Sequence, residues 1–294
     1  MKKLLSLILA VVMICSMFAG CGSSEAENET EASAESGASA EISTVTPGKL
    51  TVATSPDFAP YEFYALDEND NPTLAGFDIA LAQYIADKLG LELEIVPMDF
   101  DGTISELGAK KVDLAMAGYS PDPDRENAMD FSDIYYTGGQ SFVTSKANVD
   151  LFTSLEDANK AEYQIGAQIG SIQYDLALEN TPDADIVQLS KVTDIIAEVI
   201  SGKLHGAFVE TVVAQTYAKN YPDLVVALEV PYDAEGSVVG VSKGNEALLS
   251  AVNEAIAQAL SDGSMAQFVA DANELASGNT YEGLLDEEGN APTE

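Results

Sequence analysis

Residues 111–136 read KVDLAMAGYSPDPDRENAMDFSDIYY. The stretch begins with an apolar run, Val112 to Ala117, of the length expected for one short buried strand. The run ends at Gly118. Asp122 and Pro123 then suit the N-cap and first position of a short helix: Asp accepts from the free N–H groups of a first turn, and Pro has none to lose there. Arg125 falls inside that turn. It is one of only two Arg or Lys residues between Val112 and Ala147. Sheets built from such strand–turn–helix units bind ligands at the carboxyl ends of their strands, often beside helix N-termini.

The same alternation extends in both directions, over residues 47 to 275. Upstream, Leu50 to Ala53 reads as a strand. Phe77, Leu81, Tyr84, Ile85 and Leu89 recur at helical spacing, and Gly90 stops the helix. Leu91 to Val96 alternates apolar and acidic residues, as a strand with one wet face does. Downstream come strand Tyr163 to Ala167, a helix after Gly170-Ser171, strand Asp185 to Leu189, and a helix carrying Val192, Ile195, Ile196, Val199 and Ile200. Strand Gly206 to Val209, a helix from Thr211, a strand near Val238 to Val241 and two helices, about 245 to 262 and 264 to 275, complete the series. Such a series predicts an α/β fold with mostly parallel strands, and its length suits two lobes.

The ends of the chain differ from this body. Lys2 and Lys3 precede an almost unbroken apolar run, Leu4 to Phe18, followed by Ala19-Gly20-Cys21. This is the layout of an export signal over residues 1–20, too short for a comfortable membrane span. Cys21 after Ala-Gly resembles a bacterial lipobox, which implies acylation of Cys21 and attachment to the outer face of the cell membrane. Residues 22 to 46 hold almost no bulky apolar group and read as a disordered acidic tether. Residues 276 to 294 read as a loose acidic tail. The two cysteines are Cys15 and Cys21, so the body is expected to carry no disulfide.

The chain has 13 Lys and Arg against 49 Asp and Glu. A surface this acidic argues against nucleic acid and against bare anionic membrane as partners. One histidine and no thiol in the body give no transition-metal site, and no phosphate loop or Ser-His-Asp arrangement stands out. No cofactor is expected, and His205 reads as structural.

Five segments, in order, resemble the polar-amino-acid branch of bacterial extracellular solute-binding proteins. They are Gly48 to Thr54 running on to Phe58-Ala59-Pro60-Tyr61-Glu62-Phe63; Gly76 to Ala82 with Leu89-Gly90; Phe100-Asp101-Gly102 through Lys111-Val112-Asp113-Leu114 and Asp124-Arg125 to Asp130–Tyr136; Ile165 to Ser171; and Ser201 to Glu210. The resemblance implies a type II periplasmic-binding-protein-like fold. Lobe 1 would comprise 47–142 and 236–275, and lobe 2 would comprise 143–235. Two crossover segments would form the hinge. It also implies a monomer that captures an amino acid in the interlobe cleft and delivers it to the permease of an ABC importer.

The resemblance assigns roles by position. Arg125 matches the residue that holds the ligand carboxylate, for which a planar guanidinium is suited. The plain alternative is a surface arginine. Glu210 stands where the family usually has the Asp that binds the α-ammonium; a Glu favoured by a helix N-terminus is the alternative. Phe58 and Phe100 match aromatic positions around the ligand side chain, though any Phe is a core candidate. Gly118 and Ser120 match backbone contacts, with Gly118 where Ser is usual and Asp122 where Thr is usual. Ser171 and Ile172 open a helix whose N–H groups suit a carboxylate, with Ile172 in place of the usual Thr. Gln168 and Tyr61 are lesser candidates. Binders of basic amino acids often carry an acid near Ser55, which tilts the expectation away from lysine and arginine, with Asp57 close by. Two other readings fit the scaffold: a dehydratase-like enzyme with Glu210 in a carboxylate pair, and a ligand-sensing module.

Overall fold

The computed structural model describes residues 42–67, 69, 71–233 and 236–278. The export signal, Cys21, the tether up to residue 41 and the tail from residue 279 lie outside the described residues.

In the first half, β1 (Lys49–Thr54) leads to a small hairpin layer, β2 (Asp57–Phe58), β3 (Glu62–Leu66) and β4 (Pro72–Ala75). Then come α1 (Phe77–Leu89), β5 (Glu92–Pro97), α2 (Phe100–Gly108), β6 (Leu114–Ala115) and β7 (Met129–Phe131). The middle of the chain supplies β8 (Gln140–Ser145), α3 (Leu155–Ala158), β9 (Gln164–Gln168), α4 (Ile172–Asn180), β10 (Asp185–Leu189), α5 (Val192–Ser201), β11 (Gly206–Glu210), α6 (Thr211–Asn220) and β12 (Leu224–Val230). The chain then adds β13 (Gly240–Ser242), α7 (Glu246–Asp262) and α8 (Ser264–Leu275).

Two five-stranded sheets result, ordered β5-β1-β6-β13-β7 and β10-β9-β11-β8-β12. The first draws on residues 49–131 and 240–242, the second only on 140–230. The fold is the expected two-lobed α/β type, and four of the five strands in each sheet run the same way. These are β5, β1, β6 and β7 in one sheet and β10, β9, β11 and β12 in the other, and the remaining strand, β13 or β8, runs against both its neighbours. The reason is connectivity. A parallel pair needs a crossover, usually a helix, which α1, α2, α4 and α5 provide. A strand entering from the other sheet has no such helix behind it and can run the other way.

Where the chain crosses between the sheets, residues 132–136 pair with 237–239. Ser132 donates to the Val239 carbonyl at 3.0 Å, Tyr135 to Ser237 at 2.9 Å and Ser237 to Tyr136 at 2.7 Å. They form a two-stranded ribbon rather than two independent tethers, which confines lobe motion to a hinge.

The core follows the apolar patterning. Phe77, Leu81 and Ile85 on α1 are fully buried, and Gly90 stops the helix with a left-handed φ of 66°. Val192, Ile195, Ile196 and Val199 form the buried face of α5. Each such side chain contributes about 1.5–3 kcal/mol by leaving water. One apolar cluster runs from Leu50, Val52 and Leu81 through Phe58 and Tyr61 to Val192 and Ile195, so the two halves meet without a gap there.

Candidate functional site

The turn that opened the sequence reading is a 3-10 turn, Pro123–Arg125, rather than a longer helix. Asp122 caps it: one oxygen accepts from the Asp124 N–H at 2.9 Å. The other faces Arg125 Nε at 3.3 Å. The cap residue therefore also aims the guanidinium. Arg125 is only 7% exposed, which is unusual for an arginine without a full set of partners. Its Nη2 donates to the Gly170 carbonyl at 3.0 Å, across the gap between the sheets. The rings of Phe100 and Tyr119 flank it, each 5.6 Å from the guanidinium carbon. Burial lowers its pKa, and Asp122 opposes that shift.

Gly170 starts the matching wall. It has φ +72° and lies against Asp101 at the start of α2. Ser171 stands at the N-cap of α4 without capping it through its side chain. Its hydroxyl instead donates to the Gln168 carbonyl at 2.8 Å, and no side chain caps the first turn of α4. The Ser171 N–H also donates to the Gln168 carbonyl, at 3.3 Å, so it is the Ile172 N–H, first of α4, that is left for an anion beside Arg125.

Glu210 ends β11 and caps α6, with Oε2 accepting from the Val213 N–H at 2.9 Å. The two readings of this residue, cap and ligand contact, are compatible. Oε1 is buried and has no hydrogen-bond partner among the described residues. Burial pushes the carboxyl up to about 7 against the pull of the Val213 and neighbouring N–H groups. Gly138 explains the space beside it. A Cβ there would stand 2.4 Å from Glu210 Oε1 and 3.2 Å from the Tyr61 hydroxyl. The Gly138-Gly139 pair before β8 was a visible signal of a close approach that sequence reasoning passed over.

Phe58 and Tyr61 join the two ends. Their ring centroids are 5.3 Å apart, and Tyr61 also bonds Ser237 of the crossover ribbon at 3.0 Å. Gly118 lies against Phe58: at φ +59°, a Cβ would come within 2.8 Å of the ring. This accounts for glycine where a serine is usual. Ser120 is buried one residue beyond Tyr119, and the Tyr119 hydroxyl is hydrogen-bonded to Thr103. The chain of contacts from Glu210 through Tyr61, Phe58, Gly118 and Tyr119 to Arg125 is continuous.

Gln168 and Phe100 are in the region but committed elsewhere. Gln168 donates to Ser190 at 3.0 Å and to Asp57 at 3.4 Å. Phe100 supports Arg125 and Tyr119. The residue that the sequence left unassigned is Asp57. From β2 it accepts from the Val192 N–H, at the start of α5, which packs on the second sheet, at 2.5 Å, and from Ser55 at 2.9 Å. Tyr217 adds a bond to its carbonyl at 3.0 Å. Burial pushes this carboxyl up to about 6, opposed by the Val192 N–H and Ser55. His205 accepts from the Gln164 N–H at 3.1 Å and lies against Tyr163, a structural setting.

Known proteins resemble this chain in sequence and fold. The profile of the bacterial extracellular solute-binding proteins, family 3, covers residues 50–271. The chain is 32% identical over 269 residues to the arginine-binding extracellular protein ArtP of Bacillus subtilis, covering 90% of this chain and 95% of that one. The crystal structure of the substrate-binding protein AbpA from Streptococcus pneumoniae, bound to L-arginine, superposes with a TM-score of 0.74 at 33% identity, over 78% of this chain and 96% of that one. A cyclohexadienyl dehydratase from Pseudomonas aeruginosa is 25% identical over 187 residues, 63% of this chain and 68% of the enzyme. The chain belongs to the bacterial extracellular solute-binding proteins, family 3.

Proposed function

We propose that the chain captures a free L-amino acid, arginine first among them, in the cleft between its two lobes and presents it to an ABC importer. The observation that carries this reading is the occurrence in one cleft of a buried, ring-flanked guanidinium at Arg125 and a buried Glu210 oxygen to which no described residue supplies a hydrogen bond. A zwitterion satisfies both: its carboxylate meets Arg125 and the N–H of Ile172, and its ammonium meets Glu210. Phe58, Tyr61, Phe100, Gly118 and Ser120 would shape the space between, with Ser171 holding the α4 turn.

Arginine is supported by the relatives named for it, ArtP and the arginine-bound AbpA. The expectation of a non-basic ligand, drawn from Ser55, is outweighed by these relatives and by Asp57, a buried acid two residues on. We assign 47–139 and 236–275 to one lobe and 140–235 to the other, which moves the expected boundary from 142 to the start of β8, a strand that belongs wholly to the second sheet. Acylation at Cys21, tethering to the cell membrane and a monomeric state complete the reading. A binder is favoured over an enzyme because the relatives above 30% identity are binding proteins, whereas the dehydratase is more distant. Mass spectrometry of the ligand released from purified protein tests this: a cationic amino acid is expected, and a sugar or peptide would refute it.

A further inference from the structure

Beneath the loop that faces the ligand lie two acids that the binding chemistry above does not use. Glu62, on β3, is fully buried, and neither of its carboxyl oxygens has a hydrogen-bond partner among the described residues. Asp78, in the first turn of α1, is equally buried. Its Oδ1 accepts from the Tyr135 hydroxyl at 2.7 Å and its Oδ2 from the Gly118 N–H at 3.1 Å. The titratable groups facing the pair are Asp57 from β2, Tyr61, Tyr119 and Tyr135. None is a cation. An ionised Glu62 here would be an unpaired charge in a dry interior, at a cost that neutralisation avoids. The Asp78 N–H donates to the carbonyl of Tyr61, the residue before Glu62, at 2.9 Å, which sets the two carboxyls side by side; a protonated Glu62 has one O–H to place, and Asp78 is the acceptor beside it.

We propose that Glu62 and Asp78 share one proton at neutral pH, and that the pair is a positioning device holding the Gly118–Ser120 loop in its ligand-binding geometry. The proton sits on Glu62 and is donated to Asp78. Asp78 stays ionised and accepts from three donors, the Glu62 O–H, the Tyr135 O–H and the Gly118 N–H. Bonds to an ionised acceptor are about twice as strong as neutral ones, so the loop is pinned at its first residue. Gly118 has little freedom otherwise, with the Phe58 ring against its α-carbon. Burial, with Asp78 and Asp57 nearby, keeps the Glu62 carboxyl well above the usual carboxylate range, whereas Asp78 rises only to about 6.

The proposal rests on the reading that this loop contacts the ligand, and two variants separate the claims. Glu62→Gln keeps a donor toward Asp78; Glu62→Met fills similar space with none. In infrared difference spectra at pH 7, wild type minus either variant is expected to show the carbonyl stretch of a protonated carboxylic acid. In calorimetric titration with L-arginine, Glu62→Gln is expected within about threefold of wild type and Glu62→Met about tenfold weaker, the worth of one bond to a charged group. A difference spectrum without the acid band overturns the shared proton. Equal affinity of wild type and Glu62→Met overturns the positioning role. Should Glu62→Met not fold, the spectrum of wild type against Glu62→Gln decides. If wild type binds no amino acid, the reading of the site falls and the positioning role with it, whatever the spectra show.

Discussion

Asp57 gives the sharpest test of how the cleft is held shut. Its carboxylate leaves β2, crosses to the other lobe and accepts from the Val192 N–H at the start of α5. Asp57→Ala removes that acceptor and the Gln168 and Ser55 contacts, and leaves a helix N–H unpaired in a buried interface. A bond to a charged acceptor contributes about 1.5–3 kcal/mol, so the closed arrangement should lose about 2 kcal/mol relative to the open one. Affinity for a ligand that binds the closed form falls by the same factor, roughly 30-fold. Asp57→Asn is the control. Its amide oxygen still accepts from Val192, and it avoids burying a charge whose burial already pushes the carboxyl up to about 6. Calorimetry with L-arginine and small-angle scattering of ligand-free protein would read both effects. The Ala variant should bind about 30-fold more weakly and scatter as a more open particle, with Asn within about threefold of wild type. An Ala variant indistinguishable from wild type would refute the trans-lobe cap. So would an Asn variant as weak as Ala, because charge rather than the acceptor would then be what matters.

Other outcomes follow from the same geometry. Arg125→Lys keeps the charge but loses the two-pronged fork, and L-arginine affinity measured by calorimetry should fall about 100-fold. Gly138→Ala places a methyl on Glu210 Oε1 and the Tyr61 hydroxyl, an overpacking worth about 1–3 kcal/mol that should appear as about tenfold weaker binding. The pH dependence of stability has a definite sign. Asp57 and Asp78 at about 6 and Glu210 at about 7 lie above the unfolded values near 4, so the folded chain binds more protons than the unfolded one between about pH 4 and 7. Their contribution is therefore lost as pH rises through that window. The ligand-free melting temperature should be higher at pH 5 than at pH 8, and the reverse order in a calorimetric scan would contradict it.

Much of the fold was legible because local signals agreed with tertiary demand. Phe77, Leu81 and Ile85 at helical spacing with Gly90 behind them mark α1 within a residue. The strands β8 and β12 were not read, since their direction and partners depend on crossovers that only the closed sheet reveals. Val112 to Ala117 reads as one strand, but just Leu114–Ala115 pair, because Gly118 turns the chain toward Phe58 at φ +59°. At the site, Arg125 and Glu210 stood out as charges at element boundaries. Asp57 did not, because its partner Val192 is 135 residues away and is a backbone group. The lone Oε1 of Glu210 was equally invisible, being a property of what surrounds it.

The measurement closest to the central claim is calorimetric titration of the purified protein with L-arginine and, in parallel, with agmatine, which has the same side chain and lacks the carboxylate. The Arg125–Glu210 pairing predicts saturable one-to-one binding of L-arginine and at least 100-fold weaker binding of agmatine, because the buried guanidinium would be left without its anion. Equal binding of the two, or no binding of any amino acid, would contradict it.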